Sequence, residues 1–189
     1  MSFESYRSKG RVSILMLLGT GMFGFVSIIL SSNNDLYLSI IFLFVNFVTF
    51  FLFLVAMNGF ANYYDDSKIF KNSLYSIIIV LTSSIIRIII DYTFIDPILE
   101  QSSFLTSLQV VAINWVFTSV VALISSIFYR RSFYALAEKS DENIFKQAGS
   151  HMFTGGVLAI VLVGAVMVAL GWILAFKGFS SIEPKSSQT

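Results

Sequence analysis

Residues 36–57 read LYLSIIFLFVNFVTFFLFLVAM. No residue in this run is charged, and its length matches the roughly 20 helical residues that cross a hydrocarbon core. Lipid offers no partner to backbone N–H and C=O groups, so such a run must pair them within itself, as a helix. The whole chain points the same way. It is 56% hydrophobic and 12% charged over 189 residues, about half the charge of a typical soluble domain. A soluble fold of this size has no interior large enough to hide so much apolar surface.

Working outward from residues 36–57, four more apolar runs are long enough to cross: 12–30, 74–95, 105–128 and 153–176. The third has its apolar core end at Ile90 and is interrupted by Arg87. In water its Ile-rich pieces would read as strands; in lipid they read as helix. The first run follows Arg7, Lys9 and Arg11 and is too long for a signal-peptide core, so it reads as a retained helix. The predicted fold is an all-α integral membrane protein, a bundle of five transmembrane helices. It forms one domain over residues 1–182, followed by a polar tail over 183–189.

Basic residues concentrate in cytoplasmic loops of membrane proteins. With five spans and the N-terminus inside, the inner segments hold Arg7, Lys9, Arg11, Lys68, Lys71, Arg130, Arg131, Lys139 and Lys146. The outer segments hold Lys177 and Lys185. This asymmetry predicts a cytoplasmic N-terminus, an outside C-terminus and a multi-pass protein of the cell membrane. Tyr37, Tyr63, Tyr64, Tyr75, Tyr92, Tyr129 and Tyr134 fall at or beyond span ends, where an amphipathic phenol sits at headgroup level.

The two inner loops resemble each other. At an offset of 75 residues, Asp66, Ile69, Phe70 and Lys71 match Asp141, Ile144, Phe145 and Lys146. Both loops start with helix-capping chemistry. They predict short amphipathic helices in the 2–3 and 4–5 loops, with Ile and Phe dipping into the acyl boundary and Lys facing phosphates. A repeated helical hairpin and two loops adapted to one environment both fit this pattern.

Few polar groups lie at membrane depth. Arg87 precedes Asp91 by one helical turn, so an ion pair near the outer interface, with the Arg stem snorkelling, is the simplest reading. An ion or substrate role is the alternative. Asn46, Gln109 and Asn114 read as interhelical hydrogen-bonding groups, with Asn114 and Thr118 one turn apart on a shared face. Gly164, Gly171 and Ala175 share one face of the fifth run and form the candidate helix-packing surface. Residues 19–24 fit G-x-G-x-x-G, yet lie mid-span with no strand before them, which excludes a dinucleotide site. There is no cysteine, and His151 is the sole histidine. A net charge of +1 supplies no field for nucleic acid. No catalytic residue, cofactor or metal is predicted.

Three stretches, taken in order, resemble the archaeal membrane family called domain of unknown function 996. They are residues 61–72 (ANYYDDSKIFKN), residues 129–146 (from Tyr129-Arg130-Arg131 through Glu138-Lys139 to Phe145-Lys146) and the Gly-rich fifth run ending at Gly171-Trp172 and Phe176. The resemblance implies an archaeal multi-pass membrane protein and carries no activity, ligand or catalytic residue.

Small-residue faces, short outer loops and the lack of buried acid/base groups predict a non-enzymatic packing subunit of a membrane assembly. Its partners would be the lipid bilayer, further copies of itself or other membrane subunits. A small transporter or channel is the alternative, and predicts that Arg87, Asn46, Gln109 and Asn114 converge on one cavity. A lipid-modifying enzyme is a second alternative, and needs a concave pocket within residues 129–151.

Overall fold

The structure is a computed structural model and describes residues 2–30, 36–90, 93, 104–161 and 163–184. Six α-helices make up nearly all of it: α1 Phe3–Leu30, α2 Leu36–Tyr63, α3 Ser67–Ile90, α4 Phe104–Ser140, α5 Asn143–Val157 and α6 Val163–Ser181. No strand occurs among the described residues. Four stretches are long and apolar enough to cross a membrane: Ile40–Tyr63, Ser67–Ile90, Leu108–Ser140 and Val163–Ser181. The predicted first span lies within α1, and the side chains of residues 21–30 fall outside the description.

The predicted fifth span, 153–176, is not one helix. Helix α5 ends at Val157, a 3-10 turn covers Leu158–Ile160, and Val161 is extended at φ −118°, ψ 145°. The chain then reverses, and α6 runs back along α5. A Cβ on Gly171 would meet Met152 Cγ at 2.6 Å, and one on Gly178 would meet Phe145 Cε1 at 2.8 Å. Such close backbone approach is what glycine permits between helices. The physical reason that the break escapes a sequence reading is plain: Leu158 to Val163 are all apolar or small, with no proline, charge or turn residue among them.

This reversal changes where the chain ends. Helices α1 to α6 alternate in direction, so α6 finishes beside the start of α1. Arg7 donates through Nη1 to the Ile182 carbonyl at 3.5 Å, and Gly10 lies against the Phe179 ring. The C-terminal segment is therefore at the same end of the bundle as the N-terminus, not the opposite end. Lys177 joins the nine basic residues at that end, called here the basic end.

The two turns at the basic end are alike in backbone detail. Asp65 and Asp141 adopt left-handed conformations, with φ of 53° and 58°; aspartate is among the few side chains that tolerate them. The next residue in each turn, Asp66 or Glu142, accepts a hydrogen bond from Ile69 N–H or Phe145 N–H, each at 3.2 Å. The structural offset is thus 141 − 65 = 145 − 69 = 76, one residue from the predicted 75. The predicted separate amphipathic helices do not form, because turns this tight leave no chain for them. Their residues are the first turns of α3 and α5. Ile69 and Phe145 are fully buried in the protein core, and do not face an acyl boundary. Phe70 and Ile144 are half-buried; Lys71 and Lys146 are exposed.

Each helix packs on its chain neighbours, and α1 closes the ring on α6. The interior of the basic-end half is aromatic. Phe60 stacks on Phe179 at 5.5 Å, Phe179 meets Phe145 at 5.0 Å, and Phe145 stacks on Phe133 at 5.9 Å. Phe53, Tyr129 and Trp172 continue the chain of rings toward mid-bundle, with Tyr129 and Trp172 5.1 Å apart. Toward the other end, α2 turns one face outward. On α2, Phe53, Met57 and Phe60 are buried, whereas Phe44, Phe47 and Phe51 are exposed. Helix α4, at 37 residues, spans about 55 Å and is much longer than a hydrocarbon core of about 30 Å. Its last turns form part of the basic-end core through Phe133 and Leu136, both fully buried.

Candidate functional site

Above the aromatic core lies a cavity of about 320 Å³ that touches all six helices. Tyr129, Trp172 and Met152 form its base. Leu17 of α1, Phe50 of α2 and Val168 of α6 supply apolar wall. The polar wall comes from α3 and α4, which present Ser83, Ser84, Thr118, Ser125 and Ser126, with Arg87 beside Thr118.

The hydroxyl protons on this wall are already committed. Ser83 and Ser84 donate to the Ile79 and Val80 carbonyls at 2.6 and 2.8 Å. Ser125 and Ser126 donate to Ala122 and Leu123 at 3.1 and 2.7 Å. Thr118 donates to Asn114 at 2.9 Å. Serine and threonine commonly bond back to their own helix in this way. Their oxygens keep lone pairs and so act as acceptors toward the cavity. The donors are Arg87 and Tyr129. The Tyr129 hydroxyl is buried and has no hydrogen-bond partner of acceptable geometry among the described residues. Ser76 stands beside it; having given its own proton to the Ser125 carbonyl at 2.9 Å, its oxygen can only accept from Tyr129.

Of the four polar positions expected to converge on one cavity, Arg87 lines it and Asn114 does not, meeting Thr118 only through its backbone carbonyl. Arg87 Nη1 reaches Thr118 Oγ1 at 3.4 Å, and Thr118 is bonded to the carbonyl of Asn114. Asn46 is elsewhere, with its amide turned to the Phe42 carbonyl of its own helix at 2.8 Å. Gln109 is exposed and does not line the cavity. Asp91, the predicted partner of Arg87, lies outside the described residues. Gly164, Gly171 and Ala175 are all buried within the chain; Gly164 abuts Leu158, and Gly171 abuts Met152 and Ala148. His151 Nδ1 faces the Gln147 carbonyl at 3.0 Å. No three metal-ligating side chains gather among the described residues.

The serines, Tyr129 and Trp172 are cavity residues that sequence reasoning missed. One signal was available: the pairs Ser83-Ser84 and Ser125-Ser126 each interrupt an otherwise apolar run.

The non-helical backbone between α5 and α6 is also secured. Val161 N–H donates to Leu158 and Gly164 N–H donates to Val161, both at 2.9 Å. Trp115 of α4 donates its indole N–H to the Ile160 carbonyl at 2.9 Å. Irregular backbone at membrane depth is tolerated where protein satisfies its polar groups in this manner.

Residues 45–173 match the family described as "Protein of unknown function (DUF996)". The chain belongs to this family. The DUF996 match runs from mid-α2 into α6, so it takes in both aspartate turns, the α5–α6 reversal and every cavity residue named above except Leu17. An uncharacterized protein of Methanocaldococcus jannaschii, MJ1644, is similar at 22% identity over 133 residues, covering 69% of this chain and 75% of that protein. No solved structure matches.

Proposed function

We propose that this DUF996 protein is a non-enzymatic membrane protein that binds a small amphiphilic molecule between its helices, as a compact transporter would. The supporting observation is the cavity itself. Its wall is mostly apolar, its hydroxyls accept, and among the described residues its charged group is the Arg87 guanidinium. An apolar body with a carboxylate or similar oxygen-rich head suits such a lining, because guanidinium pairs with planar oxyanions. Among the described residues, the ionisable lining groups are Arg87 and Tyr129, which supports binding over acid/base chemistry.

In this reading, α1 to α4 cross the cell membrane and α5–α6 form a re-entrant hairpin. Trp115 lies 115 − 104 = 11 residues from the start of α4. The hairpin tip beside it therefore stops about 16 Å short of that end. The basic end is cytoplasmic, with both termini there, because nearly all Lys and Arg collect at it. The packing-subunit role loses its main support, since Gly164 lies against the 3-10 turn and Gly171 against α5 of the same chain, and Ala175 is buried. The lipid-modifying role required a hollow within residues 129–151. A hollow that these residues share with α3 is present, but among the described residues its carboxylate, Glu138, sits among cations, which suits binding better than catalysis.

The test uses Trp172 as reporter. The protein in lipid nanodiscs is titrated with a brominated medium-chain fatty acid, and tryptophan quenching is read. Saturable quenching that disappears in Trp172→Phe, and weakens about tenfold in Arg87→Gln, is expected for a lost charge-assisted pair. Linear, unsaturable quenching that is the same in Arg87→Gln would mean simple partition into lipid and would overturn the proposal.

A further inference from the structure

A second hollow, of about 570 Å³, lies at the basic end between the start of α3, the last turns of α4, and α5. Lys68, Arg130 and Arg131 line it, opposed by one carboxylate, Glu138. None of these three cations lies within ion-pair distance of a carboxylate among the described residues. Three like charges share one hollow, an arrangement that attracts and concentrates anions.

The arginines are held in place by aromatic rings. The Arg130 guanidinium carbon stands 4.7 Å over the Phe153 ring and 5.1 Å over the Tyr134 ring. Tyr134 is itself fixed through its hydroxyl to Ser150 Oγ at 2.8 Å. A guanidinium stacked on a ring keeps its N–H donors in its own plane, free at the edge for a ligand. This is a preorganised oxyanion receptor.

Its surroundings decide between a soluble anion and a lipid. The hollow is also lined by Ile127 of α4 and Phe153 of α5. One turn further along α4 are Leu123 and Ile124, both exposed; one turn along α5 is Val157, 50% exposed. An apolar strip thus leads from the cations toward the lipid-facing surface. A free phosphate would use the cations alone, whereas a phospholipid would use cations and strip together. Basic pockets between membrane helices on the cytoplasmic side bind anionic headgroups by this combination.

We infer that this hollow is a binding site for the phosphate headgroup of an anionic lipid of the adjacent leaflet. Lys68, Arg130 and Arg131 hold the phosphate, and acyl chain lies along Ile127 and Phe153. Glu138 accepts a headgroup hydroxyl, and the net positive balance disfavours zwitterionic heads. The inference needs the basic end to lie at a membrane interface and is independent of the ligand proposed for the mid-bundle cavity.

Native mass spectrometry of the detergent-purified protein tests it, with phosphatidylglycerol and phosphatidylcholine added in parallel. Retention of phosphatidylglycerol about tenfold tighter than phosphatidylcholine is expected. A Lys68→Gln, Arg131→Gln double variant should lose roughly tenfold or more of that affinity. Both side chains are exposed, so its melting temperature should stay that of the wild type. Lys177→Gln, outside the hollow, should change nothing. Equal retention of the two lipids, or full retention in the double variant, would overturn the inference. Displacement of phosphatidylglycerol by millimolar inorganic phosphate would mean that the tail contributes nothing, and would overturn the lipid assignment in favour of a free anion.

Discussion

Trp115 and Ile160, 45 residues apart in sequence, are joined by an indole-to-carbonyl hydrogen bond of 2.9 Å. The bond ties the tip of the α5–α6 hairpin to the flank of α4. It satisfies a carbonyl that the break in the helical ladder would otherwise leave open.

Trp115→Phe keeps the ring and removes the donor. It is expected to cost about 1 kcal/mol, or about 2–4 °C in melting temperature for a chain of this size. Hydrogen exchange should rise at Val161 and Gly164, while the aspartate turns keep their protection. Unchanged exchange at the tip would mean that the bond does not hold it.

Gly156 and Gly19 offer a matched pair. A Cβ on Gly156 would run into Ser126 Oγ and approach the Ala122 carbonyl of α4 at 2.9 Å. A Cβ on Gly19 meets nothing within 4 Å. Gly156→Ala should therefore destabilise by about 1–3 kcal/mol through overpacking. Gly19→Ala should be neutral or slightly stabilising, because alanine favours the helix. Denaturation of both variants in the same detergent checks the contrast. Equal effects would mean that α4 and α5 do not pack this closely.

Ser132 holds α3 to α4 by two contacts. Its hydroxyl donates to the Ile69 carbonyl at 2.6 Å and lies 2.7 Å from Ser73 Oγ, all fully buried. Ser132→Ala leaves Ser73 without that partner and is expected to cost about 1–3 kcal/mol. Ser180→Ala, at an exposed hydroxyl bonded only within its own helix, is the control and should cost little. Thermal unfolding of the two variants distinguishes these outcomes.

The apolar runs 36–57, 74–90 and 105–128 announce their helices because composition and length alone decide them. The basic-end extension of α4 is harder to read. Charged and apolar residues mix from Arg130 to Ser140, and only tertiary packing tells that Phe133 and Leu136 point inward. The hairpin break at Leu158–Val163 is invisible, since residues that suit a continuous span also suit a hairpin tip once Trp115 supplies the missing bond. The aspartate turns are legible as a matched pair, but their register is not. Sequence identity favours Asp66 against Asp141, whereas the left-handed backbone pairs Asp65 with Asp141. The cations of the basic-end hollow are legible as a charge bias; their convergence depends on how α3, α4 and α5 meet.

The reversal at Val161 puts both ends of the described chain at one end of the bundle. Single cysteines at Ser2 and Glu183, introduced into a chain that has none, and labelled with a membrane-impermeant maleimide on intact cells and on inverted vesicles, test it most directly. Both positions are expected to react only in inverted vesicles. Reaction of Ser2→Cys and Glu183→Cys from opposite faces of the membrane would mean that residues 153–176 cross as one helix and that the hairpin does not exist.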